Sequence, residues 1–168
     1  TIYPLPFDKE FSELDNRNTI NIYAGTNENV ELSNFAERPF EVSGITYRSV
    51  ESAFQAAKLF YSKNVLSGVI TRGQLIDKVK EFAKMSASEA KIEGKKIANL
   101  DVKKWDSVSY ETMYKLIKSS FEQNEDSLKL LLDTGNAILT HTQDNTKWKK
   151  LFPEILMRVR NELRSPQL

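Results

Sequence analysis

Apolar positions follow a two-residue period early in the chain and a helical period afterwards. "TINIYAG" alternates Ile20 and Ile22 with polar neighbours, as a half-buried strand does. "PFEVSGITY" holds two β-prone runs around Ser43-Gly44, a pair that predicts a tight hairpin. The intervening "NVELSNFAERP" is too polar and turn-rich for a regular element. From residue 49 the spacing becomes helical. "RGQLIDKVKEFAKM" puts Leu75, Ile76, Val79, Phe82 and Ala83 on one face and its charges on the other. In "SASEAKIEGKK", Ser86 stands three residues before Glu89, a capping-box spacing that predicts a helix start near Ser86 or Ser88. Tyr110, Met113, Ile117 and Phe121 form a further stripe, and "EDSLKLLLDTGN" ends on Gly135, a residue suited to closing a helix. "AILTH" reads as a short strand, and the last helix is expected to start at Pro153. Residues 1–18 read as an extended arm packed on the domain, and residues 19–168 as that single domain. Strands first and helices after make the fold class α+β: one compact, mostly helical domain with a small hairpin or sheet.

One helix breaks its own pattern. "SVESAFQAAKLF" is apolar nearly all round, yet Glu51, Gln55, Lys58 and Ser62 fall within roughly 60° of one another. Glu51 and Lys58 are two turns apart, about 10 Å along the axis, so they need Gln55 or another group between them. The strip either faces solvent or an internal network, or it lines a pocket. In a pocket, a carboxylate and an ammonium on one rigid face suit chemistry at a sugar carbon. The carboxylate can stabilise an oxocarbenium-like centre or activate water. The lysine can hold a phosphate or hydroxyl, or add to a ring-opened aldehyde.

Composition narrows the choice. The 168 residues are 40% apolar and 10% aromatic, enough for a sizeable core. Twenty-four basic residues nearly balance 23 acidic ones, so there is no overall field to draw nucleic acid or anionic membrane, and any basic site must be local. The absence of cysteine excludes thiolate catalysis and Cys-type metal sites, and the lone His141 excludes a histidine metal cluster; no cofactor is expected. The lack of cysteine and of a long apolar run fits a cytoplasmic protein with no membrane partner.

The motifs occur in a familiar order. "ELSNFAERPFEVSGITYRSVESAFQAAKLF", then "MSASEAKIEGKK", "WDSVSYETM" and "SFEQNEDSLKLLLDTGNAIL", resemble the successive signatures of the NADAR family over residues 20–163. The resemblance implies a compact α+β fold and an N-glycosidase that cleaves a ribose C1–nitrogen bond with water. Family substrates are ADP-ribose on guanine bases of nucleic acid and phosphoribosylated intermediates of riboflavin biosynthesis.

Carried over residue by residue, Glu51 and Lys58 become the catalytic candidates, with Asp144 beside them as part of a C-terminal "D…W" pair completed by Trp148. Ser33, Asn34, Gln55, Lys91, Trp105 and Trp148 become substrate-binding candidates. For Lys91 the alternatives are a phosphate clamp near a helix N-terminus and a solvated helix face. For Trp105 they are core packing and base stacking, with packing favoured, and for His141 a satisfied structural role is favoured. The chain departs from the pattern at Ser52, where the family has His, at Ser109, where a basic residue is common, and at Ser120, where it has Lys. It also lacks a "WG.G" loop before the last helix, as in a shorter branch with a more open rim. The leading expectation is removal of ADP-ribose from guanine. The alternatives are release of ribose 5-phosphate from a riboflavin intermediate, and a non-catalytic module that binds ADP-ribose or a nucleotide.

Overall fold

The computed structural model describes residues 14–164. The proposed arm falls largely outside them, since residues 1–13 are not described. In chain order the elements are β1 (Asp15–Asn21), β2 (Phe40–Val42), β3 (Ile45–Tyr47), α1 (Val50–Lys58), α2 (Lys63–Leu66), α3 (Arg72–Ala83), α4 (Ala87–Gly94), α5 (Val102–Glu122), α6 (Glu125–Asp133), β4 (Ala137–Thr140) and α7 (Trp148–Arg164). The described chain is α+β and mostly helical. No described helix is long and apolar enough to cross a membrane. The described residues gather into two compact units, one of residues 34–124 and one that joins the residues before 34 to those after 124.

In the first of these, α1 is the central element and packs on α3, α4 and α5. Its first seven residues, Val50 to Ala56, are all buried, as expected of a helix apolar on most sides. β2 and β3 pair antiparallel through Val42 and Ile45, and the turn residues Ser43 and Gly44 have φ of 51° and 83°. Positive φ at both positions is the type I′ geometry that matches strand twist, so the hairpin forms where Ser-Gly places it. The hairpin is clipped to the end of α5: Gln123 exchanges hydrogen bonds with both backbone groups of Glu41 (2.8 and 2.9 Å), and Asn124 donates to Pro39 O at 2.8 Å. The "FEQN" motif is therefore a fastening for the hairpin.

Capping boxes open α1 (Ser49 and Ser52), α3 (Thr71 and Gln74) and α4 (Ser86 and Glu89). Two expectations of the periodicity shift in detail. α1 tightens into a 3-10 turn at Leu59–Tyr61, so Ser62 leaves the polar strip, caps α2 through Asn64 N and donates to Ala98 O at 2.8 Å. In the other unit, α7 begins at Trp148 and not at Pro153, because Thr146 Oγ1 accepts from Trp148 N at 3.2 Å and starts the helix earlier. Pro153 then forfeits only one internal hydrogen bond.

That other unit pairs β1 with β4 in parallel, Asp15 opposite Ala137 and Asn21 opposite Thr140, and α7 packs on β4. Residues 15–18, expected in the arm, are therefore strand. Gly135 (φ 62°) closes α6, its N–H donating to Leu132 O at 3.0 Å. The carbonyl end of α6 is covered by cations from α7: Arg160 donates to Thr134 Oγ1 at 2.9 Å and Arg164 to Gly135 O at 2.6 Å.

Ser120, unexplained in the sequence, has a physical role. Arg38 is 2% exposed, its Nε donates to Ser120 Oγ at 2.6 Å, and its guanidinium lies 4.2 Å from the centre of the Phe121 ring. Burial lowers Arg38 to about 10, so it is still charged at neutral pH. A lysine at Ser120 would set a second cation against it. Ser120→Ala is expected to destabilise the protein by about 1–3 kcal/mol, the cost of leaving a buried donor short of a partner. Ser120→Lys should be worse. Urea unfolding followed by circular dichroism gives both values, and an unchanged midpoint for both would contradict the pairing.

Candidate active site

The polar strip starts from a helix cap. Ser49 Oγ accepts from Ser52 N at 3.1 Å, while Ser52 Oγ accepts from Ser49 N at 3.2 Å and donates to Ser49 O at 2.9 Å. Ser52 is fully buried, so the residue that replaces the family histidine completes the capping box instead of reaching toward a ligand. Glu51 falls in the first turn and Lys58 in the last, each at the end of the helix that its charge favours. Glu51 N donates to Asn34 O at 3.0 Å, which satisfies one of the helix's open N–H groups and ties the "SNF" loop to the strip.

Glu51 is 8% and Gln55 5% exposed. Gln55 Nε2 donates to Glu51 Oε2 at 2.6 Å, a short charge-assisted hydrogen bond one turn apart. Gln55 Oε1 is buried without a hydrogen-bond partner among the described residues and lies against Gly94 of α4. The Asn34 side chain is similar: one end of its amide contacts Met113 Sδ at 3.4 Å and the other is buried and unmatched among the described residues. The Gln55 oxygen is closed off by α4, whereas the unmatched Asn34 oxygen keeps acceptor capacity for a hydroxyl or N–H group.

Lys58 is half-buried. Burial pushes its amine below the usual lysine range, the Glu51 carboxylate draws it back up, and the Lys95 ammonium lowers it further. A depressed amine is a better nucleophile near neutral pH than a free lysine. Lys95 follows the end of α4 and carries no periodic signal that would have marked it in the sequence.

The remaining residues divide by position. Lys91 lies in the last turn of α4, exposed, with its ammonium 5.6 Å from the Phe35 ring centre, so the helix N-terminal argument for phosphate does not apply to it. Trp105 is buried between Phe54 (5.0 Å between ring centres) and Tyr61 (5.6 Å), a packing position next to the strip's own helix. Ser33, Asp144 and Trp148 belong to the other unit. Ser33 is buried there and donates its N–H to Val30 O at 3.0 Å. Asp144 Oδ1 accepts from Thr146 N and Oγ1 at 2.6 and 2.5 Å, and Oδ2 lies 3.2 Å from His141 Nε2. Burial raises the Asp144 carboxyl, but the Thr146 hydrogen bonds and His141 together hold it below its ordinary value. His141 Nδ1 in turn lies 2.7 Å from Ile22 O, and its ring meets Phe152 edge-on at 4.8 Å. The same unit has an open cleft of about 430 Å³ with an apolar floor of Leu139, Pro153 and Met157. Among the described residues no three His, Asp or Glu side chains gather as metal ligands do.

The order of loop, hairpin, Glu-Gln-Lys helix and Lys-Gly helix has a counterpart among known proteins. The NADAR domain pattern matches residues 22–164. The chain belongs to the NADAR family. It is 29% identical over 155 residues to the N-glycosidase YbiA of Shigella flexneri, spanning 86% of this chain and 88% of that protein. It is 28% identical over 159 residues to the N-glycosidase YbiA of Escherichia coli K12, with the same coverage. The NMR structure of the E. coli protein YbiA superimposes with a TM-score of 0.68 at 28% identity, over 90% of this chain and 88% of that one.

A lysine whose charge is disfavoured in the fold destabilises it while both states are protonated. That penalty disappears as pH rises through the folded-state value toward the ordinary one. Lys58→Met should therefore unfold at a higher urea concentration than wild type at pH 7, with the difference shrinking as pH approaches roughly 10. A lower midpoint for the variant at pH 7 would mean that the Glu51 attraction outweighs burial.

Proposed function

We propose that this NADAR-family chain is an N-glycosidase that hydrolyses a ribose C1–nitrogen bond and removes ADP-ribose from guanine bases of nucleic acid. The observation that carries the reading is the Glu51 carboxylate, buried and held by Gln55, on the same helix face as the depressed Lys58 amine. The naming of two similar proteins as N-glycosidases supports the reaction class. The short segment before α7 supports a bulky substrate, and a cysteine-free chain fits a reducing compartment such as the cytoplasm.

In this reading the C1–nitrogen bond breaks with positive charge building on the ribosyl carbon, and Glu51 stabilises that charge. Water then adds its oxygen to C1 and gives a proton to Glu51, which passes that proton to the departing nitrogen and returns to its carboxylate form. Gln55 keeps the carboxylate aimed, Asn34 accepts from a ribose hydroxyl or base N–H, and Lys58 holds the ribosyl group by its C1 side. Lys91 and Trp105, on the same unit as Glu51, are proposed to support substrate binding through the helices that carry them, with no direct step assigned to either.

Incubation with DNA carrying ADP-ribosylated guanine should release free ADP-ribose, detectable by mass spectrometry. Glu51→Gln should lower kcat by about 10²–10⁴ while leaving the thermal midpoint nearly unchanged. A fully active Glu51→Gln protein would overturn the assignment. Release of ribose 5-phosphate from a phosphoribosylated riboflavin intermediate, with ADP-ribosylated DNA untouched, would move the substrate class. Saturable ADP-ribose binding without product would make the chain a binding module.

A further inference from the structure

Gly94, followed by the C-cap Lys95, is the last residue of α4. Its backbone gives no reason for the choice: the glycines of positive φ are Gly44, Gly68 and Gly135. The reason lies across the interface with α1. A Cβ at Gly94 would stand 1.9 Å from Gln55 Oε1, 2.6 Å from Gln55 Cδ and 3.2 Å from its Cγ. Those distances leave no room for a methyl group while the Gln55 amide stays in place. That amide is the group whose Nε2 donates to Glu51 Oε2 at 2.6 Å.

From this contact we infer that Gly94 is a positioning residue for the active site, setting the direction of the Glu51 carboxylate through Gln55. The inference rests on the proposed role of Glu51. The planar amide has two ends. The oxygen end is pressed onto the bare Gly94 Cα, which leaves the nitrogen end turned to Glu51. A side chain on Gly94 moves the whole amide and takes the donor away from the carboxylate. The carboxylate remains on its helix and the substrate still enters, so the loss falls on the chemical step. The "AKIEG" spacing acquires a physical meaning: a helix carrying no side chain where the neighbouring helix places its amide.

The test is a double-mutant cycle with a structural readout. Gly94→Ala should lower kcat roughly ten- to a hundredfold with KM little changed, the scale expected when a catalytic group is displaced by about an ångström. Gln55→Ala should show a comparable loss. Gly94→Ala in the Gln55→Ala background should add nothing, because the space once filled by the amide accepts the methyl group. A Gly94→Ala protein with wild-type kcat, or losses that multiply in the double variant, would overturn the inference. If Gly94→Ala does not fold, the comparison of Gln55→Ala with the double variant decides in the same way. The side-chain NH₂ resonances of Gln55, followed by ¹⁵N NMR, supply the independent arm. They should move in Gly94→Ala and in Glu51→Gln. Resonances indifferent to Gly94→Ala would sink the inference even if the enzyme proves active. A wild-type protein that releases no ribosyl product, yet shows the shift, would leave the positioning contact standing and remove the proposed function instead.

Discussion

A carboxylate out of water is expensive unless another group takes over its solvation. In this chain the Gln55 amide contributes to that at Glu51, at hydrogen-bond distance and one turn away on the same rigid helix. Much of the surrounding unit is arranged around that contact. α4 approaches without a side chain at Gly94, the Asn34 loop closes on the Glu51 N–H, and the Ser49–Ser52 cap sets the start of the helix. The strip is fixed in place by backbone and packing, which is the condition for a charged group to act without first reorganising.

The departures from the family pattern are also legible as physics. Ser52 uses its short side chain on the backbone of its own helix. Ser120 supports Arg38, so a buried cation enters from the hairpin side and not from α5. Ser109 is buried and donates to Asp106 O at 3.3 Å within its own helix. At Ser52 and Ser120 a side chain that could have met a ligand serves the frame instead. In the unit of residues 34–124 the polar groups left on the α1 strip are Glu51, Gln55 and Lys58.

Features specified by neighbouring residues were readable in the sequence. The Ser43-Gly44 hairpin depends on two φ angles, and the Ser86 start of α4 on a spacing of three residues. The Glu51, Gln55 and Lys58 strip followed from helical phase alone. Features that need a distant partner were not readable. β1 reaches back to Asp15 because β4 pairs with it from far along the chain, which recruits polar residues that look like an arm. Pro153 was a reasonable first-turn residue until Thr146 supplied an earlier cap. Gly94 could be flagged as an odd glycine in a helix, but its reason lies on another helix. The depression of Lys58 has Lys95 as a contributor, and no periodicity joins the two.

The three capping boxes have a consequence for how such a fold can diversify. Each fixes the start of its helix within a window of four residues, independently of the segment before it. Connecting segments can therefore lengthen, shorten or change composition without altering where Glu51 stands in α1 or Gly94 in α4, since longer surface loops add little closure entropy. The contact of carboxylate, amide and bare glycine is thereby decoupled from the length of the loops around it.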